Sequence, residues 1–332
     1  MVKYQVQTGG KLYLSGEYAI LTPGQTALIM PIPLKMTAII ESAPKICLQS
    51  DLFDYAVDMT PDKGYELIQT AIEVFASYVN QTVLDLPPFS LSILGTLGNH
   101  GKKYGIGSSG SVTVLTLKAL AAYYQVALTP DKLFKLASVV LLSLGDNGSM
   151  GDIACISYET LIAYTAFDRS NIKKWMQELP LSELLARDWG YRVRLIKPGL
   201  SCDFLVGWTQ VPSLSKDMIR QVNQKIDTAF LTKMQEFTLA AISALETGNK
   251  QALVDALSAS GRLLSDLSPV IYHPKLRQLV EACQGMDAVA RSSGAGGGDC
   301  GIALVFDPKA TELLVSNWQE ADIVLLYTEK WR

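Results

Sequence analysis

Apolar residues in the first third of the chain come in short runs rich in β-formers. They lie at Tyr4–Gln7, Leu12–Leu14, Leu34–Ile40, Ile46–Gln49 and Phe89–Leu94, with turn residues between them, and they predict strands. The period then changes. Leu67, Ile68, Ala71, Ile72 and Phe75 fall on one stripe and predict a helix over Tyr65–Tyr78. Val112–Tyr124 is apolar almost all round, the pattern of a helix buried on every side. Thr129 and Pro130 read as the N-cap and first residue of a helix reaching about Leu144, and Ile153–Phe167 reads as strand and turn.

The character shifts around Leu179–Trp189, with Pro180 and a charged stretch, and places a domain boundary there: residues 1–186 and 187–332. Beyond it, strands are expected at Tyr191–Ile196 and Phe204–Trp208. Met218, Val222, Ile226, Phe230, Met234 and Phe237 recur at steps of four, four, four, four and three, as along one long helix. Further helices open near Lys250 and Pro274. The chain closes with a glycine loop, a strand (Gly301–Phe306), a helix (Pro308–Gln319) and a strand (Ile323–Thr328). Strands and helices mix without the regular alternation of a doubly wound sheet, so the pattern predicts two α+β domains.

Composition narrows the function. In 332 residues, 48% hydrophobic and 18% charged, there is ample material for a core in each domain. The net charge of −3 and the lack of a long basic run argue against a nucleic-acid partner. The N-terminal MVKYQVQTGGKLYL lacks the apolar stretch of a signal peptide, and the most apolar segments are short of a membrane span or carry Lys118 and Lys135. Five scattered cysteines without a CxxC pair read as reduced thiols in a cytoplasmic protein. Two histidines leave little room for a histidine metal site or triad.

Four stretches carry candidate chemistry. In YGIGSSGS, Tyr104–Ser111, the glycines at 105, 107 and 110 let successive N–H groups turn inward, and Ser108, Ser109 and Ser111 add hydroxyls ahead of a helix N-terminus. That combination suits a polyphosphate. It is not a Walker A loop, because Ser111 stands where that motif needs lysine, and no acid follows about 20 residues on as in a dinucleotide fold. In DNGSMGDIA, Asp152 ends a Gly-Ser turn before an apolar run and is placed to orient a nucleophile or act as a base. In GGKLYLSGEYAIL, Lys11 follows a glycine pair and could stabilise a moving phosphoryl group. In RSSGAGGGDCG, four glycines within residues 294–298 suit a close approach of backbone to ligand, with Arg291 and Ser293 beside them. Each stretch alone also fits an ordinary turn or a solvated lysine.

Together, KLYLSGEYAIL, YGIGSSGS, GSMGD (148–152) and SSGAGGGDCG (292–301) resemble the ordered motifs of the GHMP superfamily of small-molecule kinases, over essentially the whole chain. The family is named for galactokinase, homoserine kinase, mevalonate kinase and phosphomevalonate kinase. The resemblance implies an N-terminal domain like ribosomal protein S5 domain 2, a ferredoxin-like C-terminal domain, and an active site between them. Within the superfamily, GAGGGDCG, SMGD and CDFLVGWT (202–209) resemble the members acting on 5-phosphomevalonate. They imply transfer of the γ-phosphoryl of Mg-ATP to that acceptor, giving 5-diphosphomevalonate in the mevalonate route to isoprenoids.

By that resemblance Lys11 and Asp152 are the catalytic pair, and Gly105, Gly107, Ser108, Ser109, Gly110 and Ser111 wrap the ATP phosphates, with Ser109 at the Mg2+. Ser149, Ser293 and Ala295 line the acceptor region. Lys103, Arg291 and Ser215 are its expected further contacts, the two cations because the acceptor is anionic. No glutamate lies between Thr129 and Met150, which leaves Asp146, Glu17 or water to complete the metal shell. Other readings are a kinase of the same fold for mevalonate or homoserine, a diphosphomevalonate decarboxylase, and a silent nucleotide-binding relative.

Overall fold

In the computed structural model, residues 2–95, 97–99, 102–214 and 216–332 are described. The first two strands are long: β1 (Lys3–Ser15) and β2 (Thr26–Ser42) pair antiparallel almost end to end, so the runs around Tyr4 and Leu12 belong to one strand. A register shift between Thr8 and Gly10 marks a bulge at the glycine pair. β3 (Cys47–Ser50) and β4 (Phe89–Leu94) extend this sheet beyond β2, and Gly98–Asn99 (β5) and Lys102–Lys103 (β6) form a short separate ladder. β7 (Ile162–Thr165) and β8 (Arg192–Leu195) complete the sheet in the order β3-β4-β2-β7-β8, with β1 on β2. β8 thus stays with the first sheet, and the chain leaves it a few residues after the 186/187 boundary expected from composition.

Helices α1 (Glu66–Tyr78), α2 (Ser108–Tyr123), α3 (Pro130–Ser143) and α4 (Gly151–Tyr158) follow, then α5 (Arg169–Glu178) and α6 (Leu181–Ala186). α2 packs on β1, β2, α1, α3 and α4. That central position is why its sequence is apolar all round: Val114, Leu115, Leu117, Ala119 and Leu120 are all fully buried. Thr129 caps α3 as its sequence predicts, accepting the Lys132 N–H. The segment after Asp152 is a helix, not the strand expected. A short apolar run buried on all sides has no period to separate the two.

The second half builds a four-stranded antiparallel sheet from β9 (Cys202–Trp208), β10 (Ala288–Ser292), β11 (Cys300–Val305) and β12 (Val324–Trp331), ordered β10-β11-β9-β12. Its helices are α7 (Lys216–Asn223), α8 (Thr228–Thr247), α9 (Lys250–Leu267), α10 (Pro274–Glu281) and α11 (Pro308–Glu320). The long helix of the four-residue repeat is two helices. The break falls at Asp227, whose carboxylate accepts the Phe230 N–H at 2.7 Å and starts α8 afresh. Phe204, Ile302 and Leu304 join the continuous core of the first sheet, while Leu205, Leu279 and Trp318 form a second layer under α10 and α11.

Candidate active site

The site forms where β1 passes under the N-termini of α2 and α4. Gly10 admits the loop that leads into α2: a side chain at 10 would overlap Ile106, and the Lys11 N–H donates to Ile106 C=O at 2.8 Å. Lys11 is 9% exposed, with its ammonium 5.1 Å from the centre of the Tyr13 ring. Gly107, at φ +91°, caps α2 in the left-handed region without a side-chain cap. The first intrahelical bond runs from Ser111 N–H to Gly107 C=O. The N–H groups of Ser108, Ser109 and Gly110 are therefore left without helical acceptors at the positive end of the helix dipole, an arrangement for anions.

Asp152 lies in the first turn of α4, behind Met150 at φ +64°. The α2 glycines bring it and Lys11 together: a Cβ on Gly107 would lie 3.1 Å from Lys11 Cε and 3.8 Å from Asp152 Cβ, and one on Gly110 would lie 2.8 Å from Asp152 Oδ2. Burial pushes the Asp152 carboxyl above the usual aspartate range, and Lys11 and the Ile153 N–H partly oppose that shift.

On one side of this pair is a cavity of 170 Å³ whose lining includes Lys11, Tyr13, Glu17, Tyr18, Ser149 and Ala295. Tyr13 and Ser149 hydroxyls lie 3.0 Å apart, and Tyr18 donates to Ala295 C=O at 2.6 Å. A separate, mostly apolar cavity of 290 Å³ lies beside Ser108 and Ser109, lined also by Phe53, Leu97 and Lys103. Among the described residues, no group of three or more His, Cys, Asp or Glu side chains could hold a metal ion.

The other candidate residues lie in varied surroundings. Arg291 is 1% exposed, and its guanidinium donates to Leu14 C=O at 2.6 Å, Ser260 Oγ at 2.7 Å and Glu17 Oε2 at 2.6 Å, with Nε on Ser292 C=O. The same ion pair engages Oε2 of Glu17. Ser111 is fully buried and its hydroxyl donates to Gly9 and Gly107 carbonyls, so it fastens the cradle instead of contacting phosphate. Lys103 is exposed on β6 and lines the same cavity as Ser108 and Ser109. The Ser293 hydroxyl bridges the N–H and C=O of Tyr13, both at 2.9 Å, and so supports the cavity wall. Ser215 lies outside the described residues.

One carboxylate was not anticipated. Asp299, at φ +52° in the second glycine loop, lies against Gly105, where any side chain would overlap it. It accepts the Ser213 N–H at 3.3 Å. Burial raises its carboxyl, while Ser213, Lys11 and Lys103 pull it back. The signal available was an acid directly after three glycines.

The family models "GHMP kinases N terminal domain" and "GHMP kinases C terminal" match residues 66–160 and 241–323. A phosphomevalonate kinase from Streptococcus pneumoniae, solved in complex with phosphomevalonate and AMPPNP, is 48% identical, with a TM-score of 0.96, over 98% of this chain and 99% of that one. The chain belongs to the GHMP kinase family. The phosphomevalonate kinase of Streptomyces sp. (strain CL190) is 28% identical over 96% of this chain and 94% of that protein. Methanococcus jannaschii mevalonate kinase, 20% identical with a TM-score of 0.73 over 99% and 98% of the two chains, shares the fold.

Proposed function

We propose that this GHMP kinase transfers the γ-phosphoryl group of Mg-ATP to 5-phosphomevalonate. The observation that carries the reading is the convergence of an uncapped helix N-terminus, Lys11 and Asp152, with a cavity lined by Lys11 and another lined by Ser108 and Ser109, in a chain 48% identical to a kinase solved with both phosphomevalonate and an ATP analogue. Ser108, Ser109 and Gly110 offer N–H groups to the ATP phosphates, and the apolar cavity beside Ser108 takes the base, with Lys103 at its rim. The acceptor occupies the cavity of Tyr13, Ser149 and Ala295, walled by both domains.

The residues present fit a magnesium ion carried by the nucleotide, because such an ion takes most of its ligands from phosphate and water and needs few from protein. Ser109, exposed at the start of α2, would supply a protein oxygen to it. When bound, the metal neutralises charge between the phosphoryl groups.

Phosphoryl transfer asks the protein mainly for positioning and charge stabilisation. The attacking atom here is a phosphate oxygen, ionised near neutral pH because the second phosphate pKa is about 6. Asp152 therefore orients the acceptor and Lys11 more than it removes a proton. Lys11, held under Gly107, stabilises charge on the moving phosphoryl group. We place the reaction in the cytoplasm, where ATP is supplied and the five free cysteines stay reduced; no described helix is long and apolar enough to cross a membrane.

The test is an ADP-release assay with Mg-ATP against mevalonate, 5-phosphomevalonate, homoserine and galactose. Turnover confined to one of the other three acceptors refutes the assignment.

A further inference from the structure

Lys11 reaches the site without a fixed partner for its charge. Among the described residues its ammonium makes no ion pair and no hydrogen bond, and Asp152 and Asp299 act on it through their charge without pairing. The contact that locates it is the Tyr13 ring, whose centre lies 5.1 Å from Nζ. Lys11 and Tyr13 are two apart on β1 and so point to one face of the sheet, while Leu12 turns into the core. Both are 9% exposed, and a desolvated cation is drawn to a ring face more strongly than one in water.

Tyr13 is itself held at both ends. Ser293 Oγ bridges its backbone N–H and C=O, each at 2.9 Å. Its hydroxyl lies 3.0 Å from Ser149 Oγ, which also accepts the Gly151 N–H at 3.2 Å. Gly151 leaves room for this meeting: a Cβ there would stand 2.8 Å from the Tyr13 hydroxyl oxygen and 3.3 Å from Ser149 Oγ. Burial, and after it the Asp152 charge, push the Tyr13 hydroxyl above the ordinary tyrosine range, so the ring stays neutral.

A neutral ring suits a lysine that must meet a moving phosphoryl group. A carboxylate in contact would neutralise the ammonium and occupy its N–H groups. A ring face attracts the same charge and leaves all three N–H groups free for phosphate oxygens. We propose that Tyr13 is a positioning residue with two roles: its ring holds the Lys11 ammonium in place yet uncommitted, and its hydroxyl holds Ser149 at the acceptor cavity. The second role rests on the acceptor proposed above; the first holds for any acceptor.

The experiment measures kcat and KM for ATP and 5-phosphomevalonate in the wild type, in Tyr13→Phe, and with singly to triply fluorinated phenylalanines incorporated at position 13. Fluorine draws charge from the ring face and changes its shape little, so the series varies the attraction for Lys11 at nearly constant packing. Tyr13→Phe keeps the ring and removes the hydroxyl. The KM for the acceptor should rise about 3- to 10-fold, with kcat within about twofold of the wild type. Across the fluorinated series kcat should fall stepwise, by about 2- to 30-fold in all, with no further rise in the acceptor KM. A kcat that does not follow fluorination overturns the role of the ring and leaves Tyr13 as packing alone. An unchanged acceptor KM in Tyr13→Phe overturns the role of the hydroxyl. Wild-type turnover of another acceptor but not of 5-phosphomevalonate overturns the acceptor reading and the hydroxyl's role with it; the fluorinated series, run with that other acceptor, still decides the ring. One measurement needs no variant: in the wild type the Lys11 ε-methylene protons should resonate upfield, shielded by the ring, and ordinary lysine shifts overturn the contact.

Discussion

Adding a single methyl group at Gly110 separates catalytic geometry from stability. Gly110 is buried in the first turn of α2. An alanine Cβ there would stand 2.8 Å from Asp152 Oδ2 and 3.0 Å from Ile153 Cγ2, about half an ångström inside ordinary van der Waals contact. The backbone itself tolerates the change, since alanine favours a helix interior over glycine by up to about 1 kcal/mol. Overpacking costs about 1–3 kcal/mol, so the two effects nearly cancel and Tm should move by only a few degrees. The carboxylate is the softer neighbour and should yield. A misplacement of about 1 Å costs about 10²-fold in rate, so Gly110→Ala should lower kcat by about 10- to 100-fold, with the KM for ATP changed less than about threefold. Steady-state ADP release and thermal melting measure both quantities. Wild-type kcat in a folded Gly110→Ala protein refutes the placement of Asp152 at the reacting groups. A loss confined to the KM for ATP shows instead that the methyl is felt by the phosphate cradle.

Three further outcomes are expected. Asp152→Asn should lower kcat by at least about 10²-fold with ATP binding little changed, by turnover and nucleotide titration; near-normal turnover removes Asp152 from the mechanism. Lys103→Ala should raise the KM for ATP more than that for the acceptor, because Lys103 borders the cavity of Ser108 and Ser109; the reverse pattern returns it to the acceptor side. Lys11→Met should push the Asp152 carboxyl further up, since Lys11 opposes the effect of burial. A raised carboxyl takes its proton sooner in the folded chain than in the unfolded one, so its contribution to stability falls as pH rises from about 4 through the folded value. The variant should therefore lose more stability at neutral than at acid pH. Carboxyl 13C titration and melting against pH check this, and a downward shift of Asp152 contradicts it.

The elements read most reliably from sequence were those with a long period or a local cap. α1 shows its stripe, α3 its Thr129–Pro130 start, and the last strand–helix–strand its turn residues. Misreadings arose where neighbours in space decided the matter. α4 is buried on all sides and shows no helical period, and β8 joins the first sheet through β7 rather than through anything in its own sequence. The four-residue repeat from Met218 to Phe237 is real, yet one helix ends at Asn223 within it and Asp227 caps the start of the next.

The site divides in the same way. The sequence by itself determined the ingredients: glycines that allow a backbone cradle, a lysine after a glycine pair, an acid after a tight turn, and the motif order that resembles the family. Those are local properties of backbone freedom and side-chain chemistry. Only the tertiary structure decided which charged groups remain available to a ligand. Arg291 and Glu17 are 274 residues apart and neutralise each other in the interior, Ser111 turns its hydroxyl to Gly9, and Asp299 arrives at Gly105 from the opposite domain. A charge is free or engaged according to what lies within a few ångströms of it, and those neighbours come from distant parts of the chain.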